Sequence, residues 1–254
     1  MKQHILALIL ALTPSGLAAP KRQAACDKSV LEKGTAAYLD AQTQGKPDVL
    51  SAASAATYTQ NFKTATLASG LLSQPQKIDH NRSTYDTTQC KTYTELIITD
   101  SKAPHVVGTQ MTFTGDTISK IETIVTSTGD WMFNPTNTLK YATQENWDPI
   151  AEDKRDTREV IQAAADAYLD VFNNKSVTVP WGTPCARLEG GNYFSPCNVG
   201  VPSGVKNMNR RYVVDETMGT CDVMFTFAGA DPDTHEFRVE GGKLRYVHTL
   251  TVMH

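Results

Sequence analysis

His235-Glu236-Phe237-Arg238-Val239-Glu240-Gly241-Gly242-Lys243-Leu244-Arg245-Tyr246-Val247-His248-Thr249-Leu250-Thr251-Val252 is the stretch that decides the fold. Two runs rich in β-branched and aromatic residues flank a Gly-Gly pair. A tight hairpin turn needs positive φ, which glycine supplies without steric cost. The pattern therefore predicts an antiparallel hairpin with strands at 235–239 and 244–252. A similar hairpin reads at 109–113 and 118–125 around Thr114-Gly115-Asp116. Gly115 then aligns with Gly241, Lys120 with Tyr246 and Glu122 with His248, while Thr109 stands where the later hairpin has His235.

The likeness extends upstream. Residues 29–44 have apolar side chains near helical spacing, with a stop at Gly45 and Pro47 beyond. Residues 158–173 do the same. The two helices share Ala37-Tyr38-Leu39-Asp40 and Ala167-Tyr168-Leu169-Asp170. Polar-to-strand passages follow each, from Asn81-Arg82 to 93–98 and from Asn209-Arg210 to 223–227. Helix, irregular segment and antiparallel strands thus recur in one order, which is the signature of an internal repeat. The join falls in the polar stretch 146–156. The expected fold is α+β, with two tandem units at 23–150 and 151–254, each a helix packed on a curved antiparallel sheet.

Composition mostly excludes. The chain has 254 residues, 40% hydrophobic and 20% charged, as expected of a globular chain that buries a core. Its formal charge is −3 and no basic run exceeds three residues, so no nucleic-acid partner is expected. No apolar stretch of about 18 residues follows the N-terminus, so no integral membrane segment is expected. Walker, Rossmann, kinase and zinc-site patterns are lacking, and no cofactor is expected. Residues 1–22 read as a signal segment: Lys2, the apolar run 5–12, Gly16 and Ala18 at the −3 and −1 positions of a cleavage site, then the dibasic pair Lys21-Arg22. Three of the 24 basic residues and none of the 27 acidic ones lie there, so the processed chain would carry a net −6. The expected location is outside the cell or in the secretory lumen.

In such a compartment disulfides are the default for Cys26, Cys90, Cys185, Cys197 and Cys221, and no CxxC or HxxxH spacing favours a metal. Cys185 and Cys197 flank a Gly-rich loop and are expected to pair. Cys26 with Cys90 would tie the first helix to its sheet, leaving Cys221 alone. Asn81-Arg82-Ser83 and Asn174-Lys175-Ser176 are acceptor sequons, and would be surface positions if glycosylated.

Residues 235–252 resemble the end of the SnoaL-like, or nuclear-transport-factor-2-like, superfamily. Residues 210–216 (RRYVVDE), followed by Gly219, are similar to a strand-turn-strand stretch of many SnoaL-like proteins. Residues 185–191 (CARLEGG) with 197–203 (CNVGVPS) resemble secreted fungal proteins of uncharacterised function. The resemblance covers most of 155–254, and 27–145 only through the repeat. It implies two tandem SnoaL-like cones, each with a pocket between helix and sheet. The superfamily includes cofactor-free isomerases, polyketide cyclases, dehydratases and binding modules, among which fold does not choose. No catalytic motif carries over.

Candidate chemistry centres on the last hairpin. Simple alternation puts Leu244, Tyr246, His248, Leu250 and Val252 on one face, and His235, Phe237 and Val239 on a shared face of the partner strand. His248, His235 and Tyr246 would then line one concave wall, with groups suited to proton transfer near neutral pH. Each histidine can equally be a hydrogen-bonded strand residue beside the core. Arg187 can hold a carboxylate or phenolate, or tie its loop to Glu189 or a main-chain carbonyl. Asp215 and Glu216 can serve as a base or cap a turn. Trp131, Met132, Phe133 and Trp181 can form apolar pocket walls or core. The first half has fewer acid–base groups, so a single catalytic pocket would be the C-terminal one. The expected function is a cofactor-free isomerase, dehydratase or cyclase acting on an apolar, oxygenated small molecule, with His248, His235, Tyr246 and Arg187 as site residues and fungal secondary metabolism as the setting. The rivals are a secreted small-molecule-binding protein without turnover and a structural extracellular protein.

Overall fold

The computed structural model describes residues 26–50 and 55–253, and the expected signal segment lies outside them. Helix α1 (Lys28–Gln44) begins where the Asp27 carboxylate accepts the Ser29 amide at 2.9 Å, and ends at Gly45 with φ 65°. Such caps satisfy amides and carbonyls that the helix itself leaves unpaired. Leu31, Tyr38 and Ala41 are its buried apolar residues. Helix α2 (Pro135–Ala142) starts with a proline in its first turn behind Asn134. Proline suits that position because its amide would be unpaired there anyway. Helix α3 (Arg158–Val171) is capped by Thr157 and buries Ile161, Ala164, Ala165, Tyr168 and Leu169.

Two similar six-stranded sheets follow these helices. The first contains β1 (Thr57–Gln60), β2 (Lys63–Ala65), β3 (His80–Asp86), β4 (Lys91–Ile98), β5 (His105–Thr114) and β6 (Thr117–Thr126), in the order β2-β1-β6-β5-β4-β3. The second contains β7 (Trp181–Glu189), β8 (Asn192–Phe194), β9 (Met208–Asp215), β10 (Thr220–Phe227), β11 (Asp231–Glu240) and β12 (Lys243–Thr251), in the order β8-β7-β12-β11-β10-β9. Both sheets are mixed, which corrects the purely antiparallel expectation. The parallel pairs are β1 with β6 and β7 with β12, and β1 and β7 lie in segments whose sequence reads as irregular.

Each sheet buries one face under its own helix and turns the other toward its counterpart. Ile161, Tyr168 and Leu169 of α3 pack over Val223, Phe225, Phe237 and Val247. Leu31 and Tyr38 of α1 pack over Leu96, Val107, Met111 and Ile121. Between the sheets, Ile97, Val106 and Ile124 meet Leu188, Met224 and Leu250. Gly108 lies on this seam. A Cβ there would sit 2.8 Å from the Thr234 methyl and 2.9 Å from the Tyr93 hydroxyl, so the close approach requires glycine. At one end of the seam the Arg158 guanidinium grips both oxygens of buried Asp86 at 2.8 and 2.7 Å.

Both long hairpins contain a one-residue slip. Glu240 faces Lys243 and Val239 faces Leu244, but Arg238 faces Tyr246, so Arg245 is the extra residue. In the first sheet Phe113 faces Ile118 and Thr112 faces Lys120, so Ser119 is extra. Such a bulge turns every later side chain of the strand to the opposite face. Cys26–Cys90 and Cys185–Cys197 are bonded, with Cα separations of 5.4 and 5.2 Å, and the Cys221 thiol is free and buried. Among the described residues no helix is long and apolar enough to cross a membrane. Asn81 and Asn174 are both exposed.

Candidate functional site

The second half contains a cavity of about 580 Å³. Phe172, Phe194, Val205 and Phe227 supply apolar wall, and Trp131, Met132 and Met253 stand at its rim. Seven polar side chains line it: Arg187, Glu189, Asp231, Asp233, His235, Thr249 and Thr251. Alternation along β11 places Asp233 and His235 on one face. Their partners across β12 are Thr251 and Thr249. The His235 ring donates from Nδ1 to Asp233 Oδ1 at 2.6 Å, and the Thr251 hydroxyl donates to Asp233 Oδ2 at 2.5 Å. Asp233 is fully buried and His235 nearly so. With Nδ1 committed to the carboxylate, the lone pair lies on Nε2, to which no described residue hydrogen-bonds. Tyr168, Phe225 and Phe237 hold the ring, at centroid distances of 5.7, 5.2 and 5.9 Å.

Arg187 is buried on β7. It donates to the Val199 carbonyl at 2.6 Å and the Tyr168 hydroxyl at 3.3 Å, and it lies 3.3 Å from Glu189. The loop-tying contacts to Glu189 and a main-chain carbonyl are therefore both present. Its buried Nε has no hydrogen-bond partner among the described residues. Burial raises the Tyr168 phenol well above its ordinary value, so the hydroxyl stays protonated.

His235 and Arg187 share this cavity, whereas His248 and Tyr246 do not. The bulge at Arg245 is the cause. Without it the hairpin would set His235 directly opposite His248. With it, Glu236 takes that place, and both His248 and Tyr246 turn to the seam. The expected single wall of His248, His235 and Tyr246 is thus not formed. Tyr246 instead accepts the Asn146 amide at 3.4 Å and lies against Trp147.

His248 has a different chemistry there. Its Nδ1 meets Glu95 at 2.8 Å, and its Nε2 meets Glu145 at 2.6 Å. Burial opposes a charge on the ring, but these two carboxylates outweigh it and push the imidazole up to about 10. The ring is a cation with both nitrogens donating, so it has no lone pair to offer. Burial likewise opposes charge on Glu95, yet His248 and Arg82 bring it down to about 2. Arg82 bonds Glu236 at 2.5 Å beneath the Trp147 ring, 3.7 Å away. Burial raises Glu236.

The other candidates resolve into structural contacts. Asp215 accepts the Thr217 and Met218 amides at 2.9 and 3.2 Å, capping its turn, and Glu216 accepts the Arg158 amide. Trp181 packs edge-on to Tyr168. In the first half the place of His235 is taken by Thr109, bonded to Tyr38 at 2.8 Å and to Thr123 at 3.1 Å. Leu71, Leu72 and Tyr58 belong with Tyr38 to the apolar core of that half. Asp233 escaped the sequence reading, although its Asp-x-His spacing on a strand was the available signal. Among the described residues no group of three His, Cys, Asp or Glu side chains is placed to hold a metal ion.

A family model matches the half that holds the cavity. Residues 154–251 match a domain of unknown function (DUF8021). The match spans β7 to β12 and every polar side chain of the cavity named above, but stops short of Trp131 and Met132. No curated protein matches the chain.

Proposed function

We propose that the second half is a cofactor-free acid–base enzyme of the isomerase, dehydratase or cyclase kind, acting on an apolar, oxygenated small molecule. The observation that carries this reading is the Asp233–His235 pair buried in the wall of an otherwise largely apolar cavity. His235 Nε2 accepts a proton from carbon beside a carbonyl. The Asp233 carboxylate stabilises the imidazolium that results, and the Arg187 guanidinium, which lines the same cavity, meets the developing oxyanion. The imidazolium then returns the proton, either to another carbon (isomerisation) or to a departing hydroxyl (dehydration). The water-poor wall strengthens each of these interactions.

In this reading the two like halves are tandem SnoaL-like cones, of which the second keeps the chemistry and the first is scaffold. Secretion is the setting that the disulfides support, since such bonds persist in oxidising compartments. Comparing metabolites of a deletion strain with its parent tests the proposal: one accumulating precursor names the substrate. Purified protein should convert that compound, and His235→Gln should lower the rate by about 10²–10⁴. Unchanged conversion by a folded His235→Gln variant would overturn the role given to His235, and no conversion by the native protein would leave carriage without turnover as the function.

A further inference from the structure

We propose that Trp131 and Met132, carried on the segment leaving the first sheet, are ligand-contacting residues of the second half's cavity, and that the ligand they select is a flat, uncharged apolar molecule. The inference rests on reading that cavity as the functional pocket. It adds a contribution from outside the half that holds the acid–base pair.

Three observations carry it. First, Trp131, Met132 and Met253 are 42%, 36% and 44% exposed, and all three line the cavity. They are half of the six exposed large hydrophobic residues among those described. Exposed apolar side chains scattered singly need no explanation, but their concentration at one opening marks a contact surface. Second, the segment is fixed to the second half by its main chain. Trp131 donates to the Thr251 carbonyl at 3.3 Å, Asn134 to the Gly190 carbonyl at 2.6 Å, and the Met253 amide to Asp130 at 2.8 Å. Gly190 has φ 59°, and a Cβ on it would fall 2.2 Å from the Trp131 carbonyl oxygen. The turn between β7 and β8 is thus a seat for this segment. Met132 itself has φ 50°, a left-handed conformation that bulky residues seldom adopt. Third, the charged lining is unbalanced. Glu189, Asp231 and Asp233 face the cavity with only Arg187 and His235 against them, and Arg187 is already paired with Glu189. A carboxylate or phosphate ligand would meet like charges in a desolvated site, which is strongly unfavourable. A flat apolar body can instead lie against the Trp131 indole.

Two fluorescent probes with one skeleton separate the possibilities. N-phenyl-1-naphthylamine is neutral, and 8-anilinonaphthalene-1-sulfonate adds one negative charge to the same rings. The intact protein should bind the neutral probe at least about tenfold more tightly than the sulfonate. Trp131→Ala should weaken the neutral probe about five- to tenfold, and Trp131→Phe should restore most of the affinity. Because Trp131 is exposed, both variants should keep the native circular dichroism spectrum. Equal affinity in Trp131→Ala, preference for the sulfonate, or no uptake of the neutral probe would overturn the proposal. So would adsorption to phosphatidylcholine vesicles without probe uptake, which would make the rim a lipid-facing surface. None of these failures touches the acid–base reading, which stands or falls on His235→Gln.

Discussion

Two histidines in one hairpin have opposite properties because neighbouring strand positions face different surroundings. His235 has one carboxylate partner and keeps a free nitrogen, whereas His248 has two and keeps none. The stability contributed by the His248–Glu95 contact should depend on pH in a defined way. The raised imidazole contributes fully below its ordinary value of 6.5, and its contribution is lost as pH climbs through about 10. The lowered Glu95 contributes fully above its ordinary 4.5 and loses that contribution as pH falls toward about 2. Denaturant unfolding should therefore show the greatest advantage of the native protein over His248→Gln between those ordinary values. An advantage independent of pH from 6.5 to 10 would contradict the assignment of charge. Asp233→Asn offers a second test at this scale. An amide facing Nδ1 can donate to it and so favour the wrong tautomer, and conversion should fall by about tenfold or more with the fold intact. Thr251 and Asp233 were present in the sequence, but only the pairing across strands reveals that they converge.

Elements were legible in proportion to the locality of their cause. Helices α1 and α3 carry apolar spacing within their own residues, and the hairpins carry glycine turns, so these could be read directly, whereas the short α2 was not. The pairs β1 with β6 and β7 with β12 join segments far apart in sequence, and no local pattern announces them. The bulges were the costliest omission, since one unpaired residue, Arg245, reverses the outlook of all that follows it. Two tests belong here. Removing the Cys185–Cys197 bond should cost about 3 kcal/mol by chain-entropy reasoning for a loop of this size, read as a lower denaturation midpoint in the double serine variant. It should also loosen Val199, whose carbonyl holds Arg187. Gly190→Ala should lower the melting temperature and release the 130–134 segment, detected as faster amide exchange at Asn134. Native exchange there would show that the turn tolerates a side chain.

At the scale of the whole molecule, the two halves are energetically one. Arg82 and Glu95 of the first sheet compensate Glu236 and His248 of the second, and Gln110 donates to buried Asp222 at 2.6 Å. Burial raises the Asp222 carboxyl well above its ordinary value. Residues 154–254 expressed alone would expose Leu188, Met224 and Leu250 and leave those ionisable groups without partners. The isolated segment should therefore aggregate or bind hydrophobic dye nonspecifically, with no cooperative thermal transition. A sharp transition and a dispersed amide spectrum would refute this dependence. The sequence disclosed two like halves through Ala37-Tyr38-Leu39-Asp40 and Ala167-Tyr168-Leu169-Asp170. It could not disclose how they meet, because beside its apolar cluster the seam carries charges and threonines that read as solvent-facing.

The seam has a consequence for dilution. Two separate chains meeting through such a surface would come apart as their concentration fell, at a point fixed by their dissociation constant. Here one continuous backbone links them, so association is intramolecular and its effective concentration is set by the linker rather than by the surroundings. The assembled form is then as complete at picomolar levels as at millimolar ones.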